Sequence, residues 1–149
     1  MRGSTLFGKE KNMQSLQQQL EGLDELTSAR LGAPVSLQPI PGGIPVVQVV
    51  VGGREELPIF VTASDAQILC ICYLWRDEEI IPEKRLSLLE LMMDLNPSIP
   101  LSSFGRVEGH HVLFGALARD ARVEDIVSDV VALSDNALDA LEALAEYLR

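Results

Sequence analysis

The stretch Ile59–Trp75, IFVTASDAQILCICYLW, decides how the rest of the chain has to fold. Residues 59–61 and 68–75 are rich in β-branched and aromatic residues, and Ala63-Ser64-Asp65-Ala66 supplies turn-forming residues between them. This pattern predicts a β-hairpin. Every residue from 68 to 75 is apolar or amphipathic, although successive side chains of a strand point to opposite faces of a sheet. We therefore expect both faces of the sheet to be covered at this hairpin.

The same stretch is interrupted by polar residues and is too short to cross a bilayer, which takes about 20 mostly apolar residues. No other segment is long enough, and the opening residues MRGSTLFGKEKN lack the apolar core of a secretion signal. We therefore predict a cytoplasmic protein without direct membrane insertion.

A chain of 149 residues is long enough to bury a core without disulfides or metal. We predict a single α+β domain at residues 13–149, preceded by a flexible N-terminal segment at residues 1–12. The formal net charge of −10 disfavours binding to nucleic acid or anionic lipid, because both are themselves negatively charged. A basic protein partner is favoured instead.

Apolar residues spaced three and four apart from Met13 onward predict an amphipathic helix up to about Arg30. Leu16 and Leu20 lie on its narrow apolar stripe. Packing against the chain's own domain is favoured over contact with a partner, and both interpretations stay open.

Two further strands are predicted at residues 35–40 and 44–51, joined by the turn sequence Pro41-Gly42-Gly43. Proline has no N–H to donate to a neighbouring strand, so Pro39 and Pro45 are expected at strand ends or at an edge. The glycine pairs of this region match no phosphate-binding pattern.

The second half of the chain continues with a helix, a hairpin and a long helix. Pro82 begins a helix that ends at Asn96-Pro97, with five apolar residues predicted to pack inward: Leu86, Leu89, Met92, Met93 and Leu95. A second hairpin is predicted at residues 102–108 and 111–118. The apolar spacing of residues 123–149 predicts one helical face throughout, and Ser134-Asp135-Asn136 is a possible break between two helices.

The other face of the last helix is acidic. A face of one charge sign can steer an oppositely charged partner, although a solvated helix face gives the same pattern. We take the following as candidate partner-binding residues: Asp125, Asp129, Asp139, Glu142 and Glu146 on this helix, with Leu16 and Leu20 on the first.

Few residues suggest catalysis or metal binding. Cys70 and Cys72 lie two apart on a strand, where a disulfide would be strained, and are predicted to be reduced core residues. The two histidines, His110 and His111, are adjacent and point to opposite faces of a strand, so no metal or cofactor is expected. The alternative to a binding protein is a small enzyme, or an accessory subunit of one, that uses these histidines and the loop at residues 77–79, although no nucleophile motif lies near them.

The stretches MMDLNPSIPLSSFGRVEG (residues 92–109) and HHVLFGALA (residues 110–118) resemble the uncharacterised bacterial YjfI family. The order of elements is similar to that of type III secretion chaperones, with one additional strand before the middle helix: α-β-β-β-(β)-α-β-β-α. The resemblance implies a non-enzymatic, dimerising protein-binding module, chaperone- or adaptor-like. It also implies a gene setting near a relative of phage-shock protein A, and hence a role in envelope stress or membrane maintenance.

These observations predict an antiparallel sheet with the hairpin at residues 57–75 near its centre and helices packed on one face. The opposite, equally apolar face then needs a cover that helices on one side do not provide. A second subunit would provide it, so we predict a homodimer.

Overall fold

The computed structural model describes residues 6–149, with side chains described from Met13 onward. Four α-helices and six β-strands make up this part of the chain: α1 Leu6–Gln19, α2 Leu23–Leu31, β1 Val35–Ile40, β2 Val46–Val51, β3 Ile59–Ala63, β4 Gln67–Arg76, α3 Arg85–Leu95, β5 Ser103–Val107, β6 His110–Ala118 and α4 Val123–Ala143. The predicted α+β class is confirmed, and so is the additional strand before the middle helix.

The six strands form one antiparallel sheet in the order β1-β2-β3-β4-β6-β5. Strands β3 and β4 pair at its centre, with Ile59 opposite Cys72 and Ala63 opposite Ile68. The predicted central position of the hairpin is therefore confirmed. Strands β1 and β5 form the edges, and Pro39, which cannot donate a backbone hydrogen bond, lies in the edge strand β1.

The helices pack on one face of the sheet, as predicted. On β4, the alternate side chains of Ile68, Cys70 and Cys72 are fully buried in the main core, which also receives side chains of α1, α2 and α4. Leu69 and Ile71, which alternate with them, stay partly exposed. One face of the sheet thus belongs to the core, and the other does not.

A smaller second core lies beneath α3, where Trp75 packs with Leu88, Met92 and Leu144. Trp75 reaches this side because the pairing of β4 with β6 shifts by one residue between Tyr73 and Trp75. Such a bulge lets two successive residues face the same side of a sheet. Leu74 and Trp75 accordingly both pack under the helices.

The predicted first helix is wrong in its bounds and continuity. It begins at Leu6 rather than near Met13, and Gly22 divides it into α1 and α2. Gly22 has a φ of 89°, a left-handed conformation that ends one helix and begins the next, and that glycine adopts without steric cost. Flexibility was predicted for residues 1–12. Residues 1–5 lie outside the described part of the chain, and residues 6–12 belong to α1. By contrast, α4 runs unbroken through residues 134–136.

The predicted inward face of the middle helix is also wrong in part. Leu86 is 70% exposed and Met93 is 72% exposed, whereas Leu88 is fully buried. Leu88 and Met92 are four residues apart and therefore share one helical face. This face packs against Trp75 in the second core. That face leaves Leu86 and Met93 pointing outward.

Candidate protein-binding surfaces

The sheet face that the helices leave uncovered, here called the open face, carries almost no charge and has an apolar centre on β3, β4 and β6. Neutral polar side chains lie mainly around that centre: Ser36, Gln38, Gln48, Thr62, Gln67 and Ser103. The strand pairings assign to it these apolar side chains: Ile40, Val46, Val50, Phe60, Leu69, Ile71, Tyr73, Val112, Phe114 and Ala116. Its strand positions hold no aspartate, glutamate or lysine, and Arg76 at the end of β4 is their one charged residue. The chain carries 22 acidic and 12 basic residues, so this face departs sharply from the charged remainder.

The open face is ordered by contacts within it. Tyr73 lies edge-on to Phe60 and to His110, with ring centroids 5.8 Å and 5.1 Å apart. The ring of Phe114 lies over Gly105 of the edge strand, where an added Cβ would come within 2.9 Å of it. The hydroxyl of Thr62 donates to the backbone carbonyl of Pro45 at 2.8 Å. These contacts hold the aromatic rings in place and leave Tyr73 37% exposed.

Four of the five acidic candidate residues lie at the surface, although Glu146 belongs to a short 3-10 turn beyond α4, which ends at Ala143 rather than continuing to residue 149. Asp125, Asp139, Glu142 and Glu146 are exposed. Asp135, on the same helix, forms an ion pair with Arg54 at 2.8 Å. The four exposed carboxylates follow the predicted placement, and their role in partner binding stays a prediction.

The prediction that Asp129 faces solvent is wrong. Its carboxylate is buried and lies against the Cα of Gly115 on β6, where a side chain on residue 115 would occupy the same space. One of its oxygens, Oδ2, has no hydrogen-bond partner among the described residues. Burial raises the pKa of Asp129 from its usual 3.8 to about 6, and the hydrogen bond with the Cys70 thiol acts in the opposite direction. This carboxylate is not available to a partner.

Leu16 and Leu20 are also unavailable at the surface, because both are buried in the main core. The structure therefore follows the interpretation in which the first helix packs on its own domain. Cys70 and Cys72 are buried, unbridged thiols of the same core. Burial raises the pKa of both, to about 12 for Cys72, so neither is a reactive thiolate.

His111 and Asp77, two residues of the catalytic alternative, do meet. His111 Nε2 lies 2.6 Å from Asp77 Oδ1, and the buried imidazole stacks on Trp75. Asp77 also pairs with Arg106 of β5 and, at 3.2 Å, with Arg85 of α3. The pKa of Asp77 lies below its usual 3.8, mainly because Arg106 donates a hydrogen bond to its carboxylate. Hydrogen bonds with His111 and Arg85 lower it further. Asp77 is thus ionised at neutral pH and joins the ends of β4, β5 and β6 to α3, which makes it poorly suited to proton transfer.

The other residues of that alternative do not join the cluster. His110 points to the open face, as expected for neighbours on a strand. Glu79 accepts a hydrogen bond from the backbone N–H of Arg76 at 2.9 Å, and Glu78 is exposed. In the described part of the chain, no three histidine, cysteine or carboxylate side chains are grouped as a metal ion requires.

Sequence reasoning did not name the open-face residues as a site, although the two-sided apolar strands carried the signal. The sequence pattern does not give the order of strands in the sheet. That order determines which side chains lie on the face that the helices leave uncovered. No helix in the region from Leu6 to the last residue is long and apolar enough to cross a membrane.

Known proteins resemble this chain at two levels. In sequence, it is 42% identical over 53 residues to the uncharacterized protein YjfI of Escherichia coli strain K12, and equally to that of Escherichia coli O157:H7. The aligned part covers 33% of this chain and spans 40% of the length of these relatives. In structure, it is similar to a chain of the crystal structure of the ExsC–ExsE complex, with a TM-score of 0.47 and 12% identity, over 87% of this chain and 93% of that chain.

The family comparison covers almost the whole chain. The model of the family described as "Uncharacterized protein conserved in bacteria (DUF2170)" matches residues 10–148. The predicted resemblance to YjfI is confirmed by the curated relatives. The chain therefore belongs to the bacterial family DUF2170.

Proposed function

We propose that this protein is a non-enzymatic protein-binding module, chaperone- or adaptor-like, that works as a homodimer in the cytoplasm. The observation that supports this most strongly is the open face: an ordered, almost uncharged surface with a contiguous apolar centre on β3, β4 and β6, in a chain of net charge −10. Monomeric soluble proteins rarely expose contiguous apolar patches of this kind, and such patches mark interaction sites.

A second copy of the chain is the occupant that fits the open face. Two molecules of net charge −10 repel each other, and the open face is a region where they can meet without apposing carboxylates. Neighbouring strands are about 4.8 Å apart, and each strand advances by about 3.4 Å per residue. A flat face of six strands with these dimensions has an area of roughly 500 Å². Side-chain relief adds to this area, which is then of the order of the ~800 Å² that each partner buries in a stable interface.

Packing two open faces together leaves the helices on the outside of the dimer. The acidic face of α4 then points to solvent in both subunits and is free to attract a basic partner. The YjfI-like resemblance makes a relative of phage-shock protein A the first partner to test, with a role in envelope stress or membrane maintenance.

The dimer is tested by sedimentation equilibrium with two variants of equal exposure. Tyr73 on the open face and Leu138 on α4 are both 37% exposed, so Tyr73→Glu and Leu138→Glu place the same charge at equally accessible sites. We expect Tyr73→Glu to weaken dimerisation by about tenfold or more and Leu138→Glu to leave it unchanged. Circular dichroism checks that both variants are folded. A wild-type protein that stays monomeric up to its solubility limit would contradict the proposal.

Partner binding is tested by association kinetics with the phage-shock protein A relative at low and high salt. Reversing Asp125, Asp139 and Glu142 to lysine is expected to slow association several-fold and to weaken its salt dependence, because rim charges act mainly on the encounter rate. Absence of binding by the wild-type protein would rule out this partner. An unchanged rate in the triple variant would mean that the acidic face does not steer it.

A further inference from the structure

A groove separates the C-terminal end of α3 from the C-terminal half of α4. It has a volume of about 270 Å³, and its apolar lining is formed by Leu95, Ile99, Pro100, Phe104, Ala140 and Leu144. Asp139 of α4 also lines it. We call this the α3–α4 groove. It lies on the helical side of the sheet and is therefore separate from the open face.

One wall of the groove is the connection from α3 to β5, and hydrogen bonds fix it at several points. The side-chain amide of Asn136 on α4 donates to the carbonyl of Pro100 at 2.9 Å and to the hydroxyl of Ser102 at 3.0 Å. At the start of β5, the backbone N–H of Phe104 donates to the side-chain oxygen of Asn96 at 2.7 Å. The wall is thus formed before any ligand arrives, which lowers the entropic cost of binding.

Leu101 stands between the two contacts of Asn136 and is unusual in two respects. Its φ of 63° lies in the left-handed region, which is costly for a residue with a branched side chain. Its side chain is 62% exposed, so burial within the chain does not offset that cost. Strained residues that the surrounding structure holds in place cluster at binding and switch sites. Leu101 does not line the groove itself, but it follows Pro100, which does, so an exposed leucine stands one residue from the groove wall.

The α4 rim of the groove is acidic. Asp139 and Glu142 are three residues apart on α4 and are therefore neighbours on its surface. Asp135, one turn earlier, pairs with Arg54. Within the described residues, neither Asp139 nor Glu142 forms an ion pair, so their charge is available to a ligand.

We propose that the α3–α4 groove binds an amphipathic, basic segment of a protein partner. Apolar side chains of that segment enter the groove and contact Leu101, and its lysines or arginines lie against Asp139 and Glu142. The groove is slightly smaller than the ~300–1,000 Å³ of small-molecule sites, which favours a few anchoring side chains over a compact ligand. A second copy of this acidic chain does not match an acidic rim. This inference rests on the proposed protein-binding function and names the site and chemistry of the partner.

The test uses the full-length protein and a fluorescently labelled synthetic peptide of about 14 residues, with leucines at helical spacing and lysines elsewhere. Binding is measured by fluorescence anisotropy. Ala143→Trp fills the groove from its exposed edge. Leu101→Gly removes the side chain while suiting the left-handed backbone, so it leaves the fold intact. We expect each variant to weaken peptide binding by about tenfold, as for the loss of an interface anchor.

Charge is tested with a matched pair of variants, because any cationic peptide is attracted to a protein of net charge −10. Asp139→Lys and Asp125→Lys change the net charge equally, but only Asp139 lines the groove. We expect Asp139→Lys to weaken binding several-fold more than Asp125→Lys at equal salt, and a peptide with glutamate in place of lysine to bind neither protein. Equal effects of the two lysine variants, or full binding to Ala143→Trp, would overturn the groove assignment.

This outcome is distinguishable from failure of the proposed dimer. Tyr73→Glu is expected to dissociate the dimer and leave peptide affinity per subunit unchanged, because Tyr73 lies on the opposite face of the sheet. Dimerisation without groove-dependent binding would refute this inference alone. Groove-dependent binding by a monomer would refute the dimer alone.

Discussion

Replacement of Asp129 by asparagine is expected to remove a pH-dependent loss of stability from this protein. The carboxylate is buried between α4 and β6, against Gly115, and its Oδ2 has no hydrogen-bond partner among the described residues. Burial raises its pKa from 3.8 to about 6, with the Cys70 thiol opposing the shift. Asparagine has nearly the same shape and does not ionise.

The sign of the effect follows from proton binding. The unfolded chain releases the Asp129 proton near pH 3.8, whereas the folded protein holds it until about pH 6. Between these values the folded state binds more protons, so the free energy of unfolding falls as pH rises. Above about pH 6 the loss is complete and amounts to about 3 kcal/mol, since one pKa unit corresponds to about 1.4 kcal/mol. In Asp129→Asn this contribution is absent at every pH.

Denaturant unfolding of both proteins at several values between about pH 4 and pH 8 measures the effect. The difference in unfolding free energy, Asp129→Asn minus wild type, is expected to rise by about 2–3 kcal/mol across this range. The buried amide has its own pH-independent cost of about 1–3 kcal/mol, which the comparison across pH cancels. Asp139→Asn, at an exposed site on the same helix, is the control and should change stability by less than about 0.5 kcal/mol. A difference that stays constant with pH would show that Asp129 is not a buried carboxylate.

Three further predictions concern stability. Leu88→Ala is expected to lower the unfolding free energy by about 2–5 kcal/mol and Leu86→Ala by less than about 0.5 kcal/mol, measured by urea denaturation. Similar losses for both variants would contradict the orientation of α3, in which Leu88 faces the core and Leu86 faces solvent. Gly115→Ala should lower the unfolding free energy by about 1–3 kcal/mol, because its new methyl group occupies the site of the Asp129 carboxylate. In a double-mutant cycle, adding Asp129→Ala should restore most of this loss. If the effects of the two substitutions simply add, the contact between the two residues is excluded. Asp77→Asn should lower the unfolding free energy at pH 7 by about 1 kcal/mol, discounted for partial exposure. The difference should begin to shrink as pH falls below about 3.8 and disappear only below the depressed folded-state pKa of Asp77, because this carboxylate stabilises the fold only while it is ionised. Calorimetry from acid to neutral pH that showed a difference independent of pH would contradict this.

The strands of this protein were readable from local pattern. Strand bounds such as Val35–Ile40 agree with the structure because β-branched runs between turn residues specify strands over a few residues. The central hairpin was predictable because its strand β4 is apolar on both sides, which an edge strand rarely is. The open face follows from the same residues once the strand order is known.

The orientation of helical side chains was less predictable. In the segment Arg85–Leu95, leucine or methionine occupies positions on all sides, so periodicity does not single out one buried face. The rotation of α3 depends on where the bulge of β4 places Trp75. Asn136, which lines the α3–α4 groove, carries no signal of this role in the sequence, because its hydrogen bonds to Pro100 and Ser102 join residues 36 and 34 positions apart.

The sequence by itself determined the class of the fold, the hairpin at its centre, the antiparallel strands and the acidic character of the last helix, since each depends on residues within a few positions of one another. Only the tertiary structure decided that Asp129 is buried while Asp139 is exposed, although both lie on the acidic face predicted for α4. The reason is that Gly115 of β6 leaves space beneath α4 at one of these two carboxylates, and such complementarity between distant segments exists only after the helix has packed on the sheet.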